Sequence, residues 1–324
     1  MLFNLLILLS LNCNPFEFYL IENNLAKFYN ISDWIPHWHF QTGGTRSKLV
    51  VAHPETGILY FFKTSLKKSK IDYRHEFWSE IVASEVGQLL GFNTLVYDIA
   101  YYKTDIGCLS RSMIESDENE LLEGIRYLTG YDNTYNPYNK SSYSSYTFQF
   151  ICNSLKYYDL EVGVFELLKV VVFDAIIGNS DRHQENWGFI SYKKGRDEVV
   201  FSPIYDSGSC LGREIGDSKV EQMLTDRLML DAYISRGKCE IRWDGCHLTH
   251  YEFIKLLKCA YEKQISYILD RVISQFDEQL IEKVVCNVDV NLPSELEHFK
   301  LPDLRKELIV KMITLRVNKL KELL

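Results

Sequence analysis

Apolar residues near the start of the chain form short runs that predict a β-hairpin. β-branched and aromatic residues fill Lys48–Ala52 and again Ile58–Lys63, and the turn-forming segment Pro54–Gly57 separates them. Such runs, bounded by proline and glycine, are typical of two antiparallel strands joined by a tight turn. We therefore predict one strand over each run.

The spacing of apolar residues then changes to a helical period. Within Tyr73–Phe92 apolar residues recur three and four positions apart, and the pattern ends at Gly91, so it predicts a helix. The next segment, Thr94–Glu115, has the character of a second hairpin, whose turn we place at Thr104–Gly107. The first part of the chain is thus expected to run β-β-α-β-β.

The remainder of the chain is predicted to be mainly helical. A stretch rich in Asn, Ser and Tyr, Gly130–Tyr146, interrupts it first, and we predict a long loop there, of the kind that is usually functional or disordered. A strand is expected over Glu198–Asp206, and helical runs with short loops follow from about Val220 to the end. No internal repeat divides this region.

Composition and charge are those of an ordinary globular protein. The 324 residues are 46% hydrophobic and carry a formal net charge of -8, so we expect one large domain or two lobes. The negative charge gives no indication of a surface built for nucleic-acid phosphates. The eight cysteines form no CxxC pair, which favours reduced thiols in a cytosol.

The first residues, MLFNLLILLSLNC, form an apolar run. The run is too short to span a bilayer, and neither a basic leading region nor a small-residue cleavage site accompanies it. We interpret it as a segment packed on the fold and predict a cytoplasmic bacterial protein without stable membrane insertion. Secretion is the less favoured alternative.

Two polar clusters follow apolar runs and carry the candidate chemistry. The segment IIGNSDRHQENWGF places Asp181 and Asn186 five residues apart after a helical run, and Asp206 ends the next strand-like run. Carboxylate and amide oxygens are hard ligands that suit Mg²⁺ bridging nucleotide phosphates. A nearby carboxylate can also orient an attacking hydroxyl and accept its proton. These are parts of a site for phosphoryl transfer.

The upstream half should then supply a glycine-rich loop, a strand lysine and a helix glutamate. Gly43–Gly44 begins a strand, Lys63 lies in an apolar strand, and Glu80 lies on the following helix. Each has an ordinary alternative: a hairpin turn, a lysine reaching solvent from a strand end, and a solvated helix position for which Glu76 and Glu85 compete. Their order and spacing favour the functional interpretation.

The segments IIGNSDRHQENWGF and FSPIYDSGSCL closely resemble the catalytic segment of the HipA-like serine/threonine kinases. That family includes toxin kinases of HipA type and a shorter pro-inflammatory kinase of Helicobacter. The match covers Gly43 to about Gly212 and is most specific at the two motifs. It implies an α+β, two-lobed protein-kinase-like fold. We expect an N-terminal extension over residues 1–40, a small β-rich lobe over 41–118 and a helical lobe over 119–324.

The resemblance also implies a role for each matching residue. Asp181 would be the catalytic base, and Asn186 and Asp206 would hold Mg²⁺. Lys63 would contact the ATP phosphates, with Glu80 as its partner. Nucleotide contacts are further implied for the glycine-rich loop and for the hinge against which adenine stacks: Gly43, Gly44, Thr45, Met113, Ile114 and Glu115.

Other residues of the two motifs have roles that the resemblance leaves more open. His183 lies in the catalytic loop and would either contact the cofactor or serve the loop structurally. Arg182 is expected to brace the loop rather than touch substrate. Ser207 and Ser209 would shape the metal loop through local hydrogen bonds from side chain to backbone.

The resemblance implies an ATP- and Mg²⁺-dependent serine/threonine protein kinase. Its acceptor would be a protein hydroxyl, and the sequence does not say which protein. Candidate autophosphorylation sites are Thr42, Thr45 and Ser47 near the glycine-rich loop, and the stretch Tyr131–Tyr146. An antitoxin or other regulatory partner is a further candidate, and no direct contact with nucleic acid is expected.

Two rival functions fit parts of the pattern. Phosphoinositide kinases also contain a DRHxxN core, but lipid substrates call for a basic surface, and the basic run of this chain is confined to Lys63–Lys70. A catalytically silent kinase fold used as a binding module has no need to retain the lysine, both aspartates and the asparagine. Both rivals are therefore less favoured than a protein kinase.

Overall fold

The computed structural model describes residues 25–37, 48–68, 71–114, 118–192 and 199–324. Its strands are β1 (Phe28–Asn30), β2 (Ile35–Pro36), β3 (Lys48–Ala52), β4 (Leu59–Thr64), β5 (Lys67–Lys68), β6 (Ile71–Asp72), β7 (Asp98–Tyr102), β8 (Asp105–Arg111), β9 (Asn119–Glu123), β10 (Gly188–Tyr192) and β11 (Val199–Phe201). Its α-helices are α1 (Glu76–Leu89), α2 (Gly124–Tyr131), α3 (Phe148–Tyr157), α4 (Val162–Ile177), α5 (Asp217–Thr225), α6 (Arg227–Arg236), α7 (His250–Ala260), α8 (Glu262–Gln275), α9 (Glu278–Asn287) and α10 (Asp303–Lys321). Short 3₁₀ helices lie at Lys140–Ser145 and Ser294–Phe299.

Six strands form one sheet in the order β1-β7-β8-β4-β3-β2, in which β1 and β7 are parallel and the other pairs antiparallel. The predicted first hairpin is confirmed: β3 has the predicted bounds and pairs with β4. The register sets Lys48 opposite Lys63, and β8 sets Cys108 against the other edge of Lys63. Lys63 therefore lies in an interior strand of the sheet and is only 8% exposed.

The second hairpin forms as predicted, but its turn lies earlier than predicted. β7 ends at Tyr102 and β8 begins at Asp105, so Lys103 and Thr104 make the turn. Gly107, which suggested the turn, lies inside β8. A Cβ atom at Gly107 would be 2.2 Å from the carbonyl oxygen of Lys63. That strand position requires glycine because the neighbouring backbone approaches so closely.

Helix α1 occupies the predicted position and is buried from Glu76 to Gly87. It is covered on several sides because it packs on β4 and β8 and also on α9. Trp78 is fully buried and donates its indole N–H to the carbonyl of Phe299 at 2.9 Å. This position carries Glu80 into the interior beside the sheet.

Helix α4 is the central helix of the second part of the chain. It packs against α3, α7, α8 and α10, and its last eight residues, Val170–Ile177, are all buried. The helix ends at Gly178, whose φ of +68° gives the left-handed terminus that glycine adopts without strain. The chain then enters the loop Asn179–Trp187 before β10, which pairs with β9 and β11 in a three-stranded sheet.

The long loop predicted over Gly130–Tyr146 is only partly present. Helix α2 extends to Tyr131, and the 3₁₀ helix Lys140–Ser145 lies within the segment. The segment is tied to the fold because Tyr146 is 3% exposed and donates its hydroxyl to the carbonyl of Arg182 at 3.0 Å. The many tyrosines of this segment suggested a polar loop. The ring of Tyr146 is buried, however, and only its hydroxyl needs a hydrogen-bond partner.

Part of the predicted N-terminal extension belongs to the six-stranded sheet. Strands β1 and β2 lie within its described residues, 25–37, while residues 1–24 are outside the described part of the chain. Among the described residues, none of the helices combines the length and the apolar character needed to cross a membrane.

The buried carboxyl group of Glu85 should make the stability of the fold depend on pH. Glu85 is not one of the residues proposed to take part in phosphoryl transfer. This side chain of α1 accepts a hydrogen bond from the backbone N–H of Ala26 at 2.6 Å, and its other oxygen has no partner among the described residues. Burial raises the pKa of Glu85 from 4.5 to about 8. The folded protein therefore binds a proton that the unfolded chain releases, so stability falls as pH rises from about 4.5 to about 8.

We expect Glu85→Gln to remove this loss, because glutamine stays neutral and can still accept from Ala26. The free energy of unfolding at pH 8 should rise by about 1–3 kcal/mol, with little change at pH 5. Urea denaturation across this pH range measures it, with the exposed Glu55→Gln as the control. An equal effect at both pH values would contradict the assignment.

Candidate active site

The strand lysine and the helix glutamate meet between the six-stranded sheet and α1. Lys63 Nζ donates to Glu80 Oε1 and to Asp206 Oδ1, the latter at 2.5 Å. Glu80 is 1% exposed. A buried lysine needs anionic partners, and here two carboxylates compensate its charge. The structure thus joins residues from β4, from α1 and from the loop after β11.

The loop after β11 is shaped to hold Asp206 at this point. Asp206 has a φ of +53°, a conformation that Asp adopts more readily than most residues. Its backbone N–H donates to the Tyr97 hydroxyl at 3.2 Å, and the N–H of Ser207 donates to Glu80 Oε2 at 2.7 Å. Glu80 therefore binds Lys63 through one oxygen and positions the loop through the other.

The loop Asn179–Trp187 is held from behind by the buried side chain of Arg182. Its guanidinium makes two hydrogen bonds to the Asp174 carboxylate, at 2.8 and 2.9 Å. It also donates to the carbonyls of Asn186 and Tyr205, at 2.8 and 2.6 Å. Burial alone would lower the pKa of Arg182, but the Asp174 carboxylate outweighs burial and the pKa is raised. Arg182 stays charged and ties α4 to both site loops.

Asp181 is half-buried, and its backbone is fixed on both sides. Its N–H donates to Asn179 Oδ1 at 3.3 Å, and its carbonyl accepts from Asn186 Nδ2 at 2.8 Å. The second contact leaves the amide oxygen of Asn186 as the acceptor of that side chain. Ser209 donates its hydroxyl to Asp181 Oδ2 at 3.2 Å. The two loops thus meet at the Asp181 carboxylate.

The site is rich in carboxylates. Burial is the main reason that the pKa of Glu80 is raised. Burial and the neighbouring Glu185 raise the pKa of Glu123, and burial and Asp181 raise the pKa of Glu240. Each of these carboxyl groups feels another negative charge nearby, so the surroundings favour a bound cation.

The oxygen ligands fit an Mg²⁺ ion that is shared with a nucleotide. Among the described residues, no three His, Cys, Asp or Glu side chains are grouped so that they could hold a metal ion by themselves. The Asp206 carboxylate and the Asn186 amide oxygen are the groups that would hold the ion. Mg²⁺ in nucleotide sites usually takes one or two protein carboxylates and completes its shell with phosphate oxygens and water.

The comparison with protein families decides where the chain belongs. A model of the HipA-like C-terminal domain matches residues 40–280, well over half of the 324 residues. The chain belongs to the HipA-like C-terminal domain family. The resemblance inferred from the two motifs is confirmed.

Known relatives of this HipA-like protein include the serine/threonine-protein kinase CtkA of Helicobacter pylori. The two are 28% identical over 142 residues, which are 43% of this chain and 42% of CtkA, so the match spans less than half of that relative. The crystal structure of the H. pylori proinflammatory kinase CtkA covers 90% of this chain and 95% of its own, with a TM-score of 0.72 and 20% identity. A Shewanella oneidensis MR-1 HipA, from a complex with HipB and operator DNA, reaches a TM-score of 0.49 at 11% identity, covering 91% of this chain and 67% of its own.

The likeness to the CtkA structure confirms the predicted α+β fold, with a β-sheet lobe followed by a mainly helical part. Of the nucleotide-contact residues expected from the HipA-like pattern, four lie outside the described residues: Gly43, Gly44, Thr45 and Glu115. Met113 and Ile114 follow β8 and are half-buried, and the Ser112 hydroxyl donates to the carbonyl of Ile114 at 2.8 Å. They stay predicted hinge residues of this HipA-like chain.

His183 makes local contacts in the HipA-like catalytic loop. It is half-buried, its Nδ1 accepts from the backbone N–H of Glu185 at 3.2 Å, and its carbonyl accepts from that of Asn186 at 2.9 Å. These contacts suit the structural alternative, in which His183 shapes the loop. A direct contact with the cofactor stays a prediction.

Lys48 is a site residue that the sequence analysis missed. Its Nζ lies 3.9 Å from Asp206 Oδ2, on the opposite oxygen from that bound by Lys63. The sequence contained an indication of its role. Paired residues of an antiparallel hairpin point to the same face, and Lys48 pairs with Lys63. The predicted hairpin could therefore have indicated a second cation.

Proposed function

We propose that the protein is a serine/threonine protein kinase that uses ATP and Mg²⁺. The contact of Lys63 with both Glu80 and Asp206 carries this proposal. It joins the sheet, α1 and the second motif at one point. The hydrogen bonds from Ser209 to Asp181 and from Arg182 to the carbonyls of Asn186 and Tyr205 link the loop of Asp181 to the same motif, which supports the proposal. A strand lysine, a helix glutamate, a metal aspartate and an Asp-x-x-x-x-Asn loop are the parts that protein kinases use for phosphoryl transfer.

Each polar residue has a role in this proposal. Lys63 and Lys48 neutralise nucleotide phosphates, and Asp206 with Asn186 holds Mg²⁺. When bound, the ion would supply electrostatic stabilisation of charge on the transferred phosphoryl group. Asp181 orients the acceptor hydroxyl and takes its proton, so that oxygen attacks the terminal phosphorus while the bond from phosphorus to the departing diphosphate oxygen breaks.

A protein hydroxyl is a better acceptor here than a lipid headgroup. The basic run Lys63–Lys70 was the sequence feature that favoured lipid, but Lys63 is 8% exposed and is committed to the site. What remains of that run is too small to attract an anionic membrane strongly. The lipid alternative thereby loses its main support.

Three further statements belong to the same proposal. The boundary between the lobes lies at residues 118 and 119, which suits the pairing of β9 with β10 in a separate sheet. The protein works in a reducing bacterial cytoplasm, which suits the buried free thiols of Cys108, Cys210 and Cys239. An antitoxin-like regulatory protein binds it, as HipB accompanies HipA in the Shewanella complex.

Intact-mass spectrometry of the purified protein, incubated with Mg²⁺-ATP and with a mixture of serine- and threonine-containing proteins, tests the function. We expect phosphate on serine or threonine of an added protein or of the chain itself, where mapping would distinguish Thr42, Thr45 and Ser47 from Tyr131–Tyr146. EDTA should prevent it. Binding of ATP without transfer to any protein would direct attention to lipid acceptors, and absence of ATP binding would overturn the proposal.

Asp206→Asn tests the metal role. Asparagine also tolerates the positive φ at this position, so the variant should keep the loop conformation and lose only the charge. We expect nucleotide affinity in the presence of Mg²⁺ to fall by about tenfold or more. Calorimetric titration with ATP, with and without Mg²⁺, measures this. An unchanged Mg²⁺ dependence would place the metal elsewhere.

A further inference from the structure

A cavity of about 760 Å³ opens beside the catalytic loop. Its wall includes Ser180 and Ser209 at one end, and α5, α6 and Arg316 of α10 elsewhere. Ser209 is the residue whose hydroxyl donates to Asp181 Oδ2 at 3.2 Å. The cavity therefore begins one side chain away from the proposed catalytic base, and the mechanism above makes no use of it.

Arg316 is the buried charge of this cavity. It is 6% exposed, and its Nη1 makes one long hydrogen bond, 3.4 Å, to the carbonyl of Ala175. Its Nε has no hydrogen-bond partner among the described residues. A buried guanidinium without a carboxylate partner is costly unless something else compensates it. The Arg316 guanidinium can therefore still donate hydrogen bonds to a ligand.

Two glycines make room for this guanidinium. A Cβ atom at Gly178 would lie 2.4 Å from Arg316 Nη2, and one at Gly237 would lie 3.3 Å from it. His250 lies next to Gly237, but burial and Arg316 lower the pKa of His250 to about 3, so it is neutral and does not compete for an anion. The lack of a side chain at these two glycines thus leaves the space that the Arg316 guanidinium occupies.

The rest of the wall is also suited to an anion. Lys219 and Arg236 are exposed at the rim. Gly216 is the N-cap residue before helix α5, so the partial positive charge of a helix N-terminus lies there. Glu214 is the acidic residue among the described residues of the wall, and Tyr233 binds it through a hydroxyl donated at 2.7 Å. The wall carries more positive than negative charge.

We propose that this cavity is a substrate subsite for an anionic side chain close to the serine or threonine being phosphorylated. The ligand is a carboxylate or a phosphate on the substrate polypeptide, held by Arg316 with Lys219 and Arg236. This inference rests on the proposed protein kinase function. It adds that acceptor choice depends on a negative charge near the hydroxyl.

The test is phosphate transfer to degenerate peptides with one fixed central serine. One library carries Asp and Glu at the flanking positions, a second carries phosphoserine, and a third carries neutral residues only. We expect wild-type protein to favour one of the anionic libraries by about tenfold, as one charge-assisted hydrogen bond provides. The library that is favoured distinguishes a carboxylate from a phosphate ligand.

The variants Lys219→Ala and Arg236→Ala, separately and together, should bring the ratio of anionic to neutral transfer close to one. They are preferred to a change at Arg316, which is buried and whose loss could prevent folding. Arg227→Ala is the matched control, because Arg227 lies on the same helix as Arg236 with its side chain 86% exposed and outside the cavity wall. It should keep the wild-type ratio.

The outcomes separate the two proposals. Transfer without any preference for anionic peptides, or a preference that the Lys219 and Arg236 variants retain, would overturn the subsite and leave the kinase function in place. Absence of transfer to every library and to added proteins, for wild-type protein with Mg²⁺-ATP, would overturn the kinase function and the subsite with it.

Discussion

The Asp181→Asn variant should lose phosphoryl transfer by about 10²–10⁴-fold and keep its affinity for Mg²⁺-ATP. Asparagine has the shape of aspartate, and its amide oxygen can still accept the hydroxyl of Ser209. The backbone contacts of this residue, from its N–H to Asn179 and from Asn186 to its carbonyl, do not involve the carboxylate. The substitution therefore removes a charge and a proton acceptor while the loop stays in place.

Two measurements on this variant separate chemistry from binding. Single-turnover transfer at saturating ATP reports the chemical step, and calorimetric titration reports nucleotide affinity. Asp159→Asn is a matched control, since Asp159 is exposed and has a φ of +57°, which asparagine also tolerates. Transfer by Asp181→Asn within tenfold of wild type would remove Asp181 as the base. A parallel loss of nucleotide affinity would indicate that the loop had moved.

The local sequence pattern predicted the elements in which apolar residues recur at a regular spacing. The hairpin of β3 and β4 and the helix α1 follow from periods of two and about 3.6 residues, and they place Lys63 and Glu80 on neighbouring elements. The turn was wrongly predicted to include Gly107. Glycine occurs in turns, but it also occurs where two backbones lie close together, as at Gly107. Which of these two uses applies depends on the neighbouring strand, so the local sequence could not decide.

The candidate site was predictable where its residues share a motif. Asp181, Asn186 and Asp206 stand in two short segments with a recognisable layout. The cavity was not predictable, because Arg316 reaches it from the final helix. The sequence predicted that helix only as one of the helical runs after Val220, and it did not show that Arg305, Lys306 and Arg316 are all buried. Lys306 pairs with Asp289 and Arg305 with Asp217, residues from other elements, and only tertiary packing reveals these pairs.

Arg182 was expected to brace the catalytic loop, and the structure shows how much of the protein depends on it. Its side chain is 0% exposed and contacts α4 through Asp174 and the two site loops through the carbonyls of Asn186 and Tyr205. Breaking a buried ion pair by removing one partner leaves an uncompensated charge and typically costs about 3–5 kcal/mol. We therefore expect Arg182→Met to lower the free energy of unfolding by about that amount.

Urea denaturation of wild type, Arg182→Met, Asp174→Leu and the double variant gives the coupling between the two residues. The double variant should be more stable than either single variant, because the unpaired buried charge is then absent. Arg227→Ala is the control for an exposed pair, since Arg227 lies 3.7 Å from Asp231 with its side chain 86% exposed, and it should change stability by less than about 1 kcal/mol. If the two single losses simply added, the Arg182–Asp174 pair would not be the element that holds the loops, and the loop carbonyls alone would have to account for the role of Arg182.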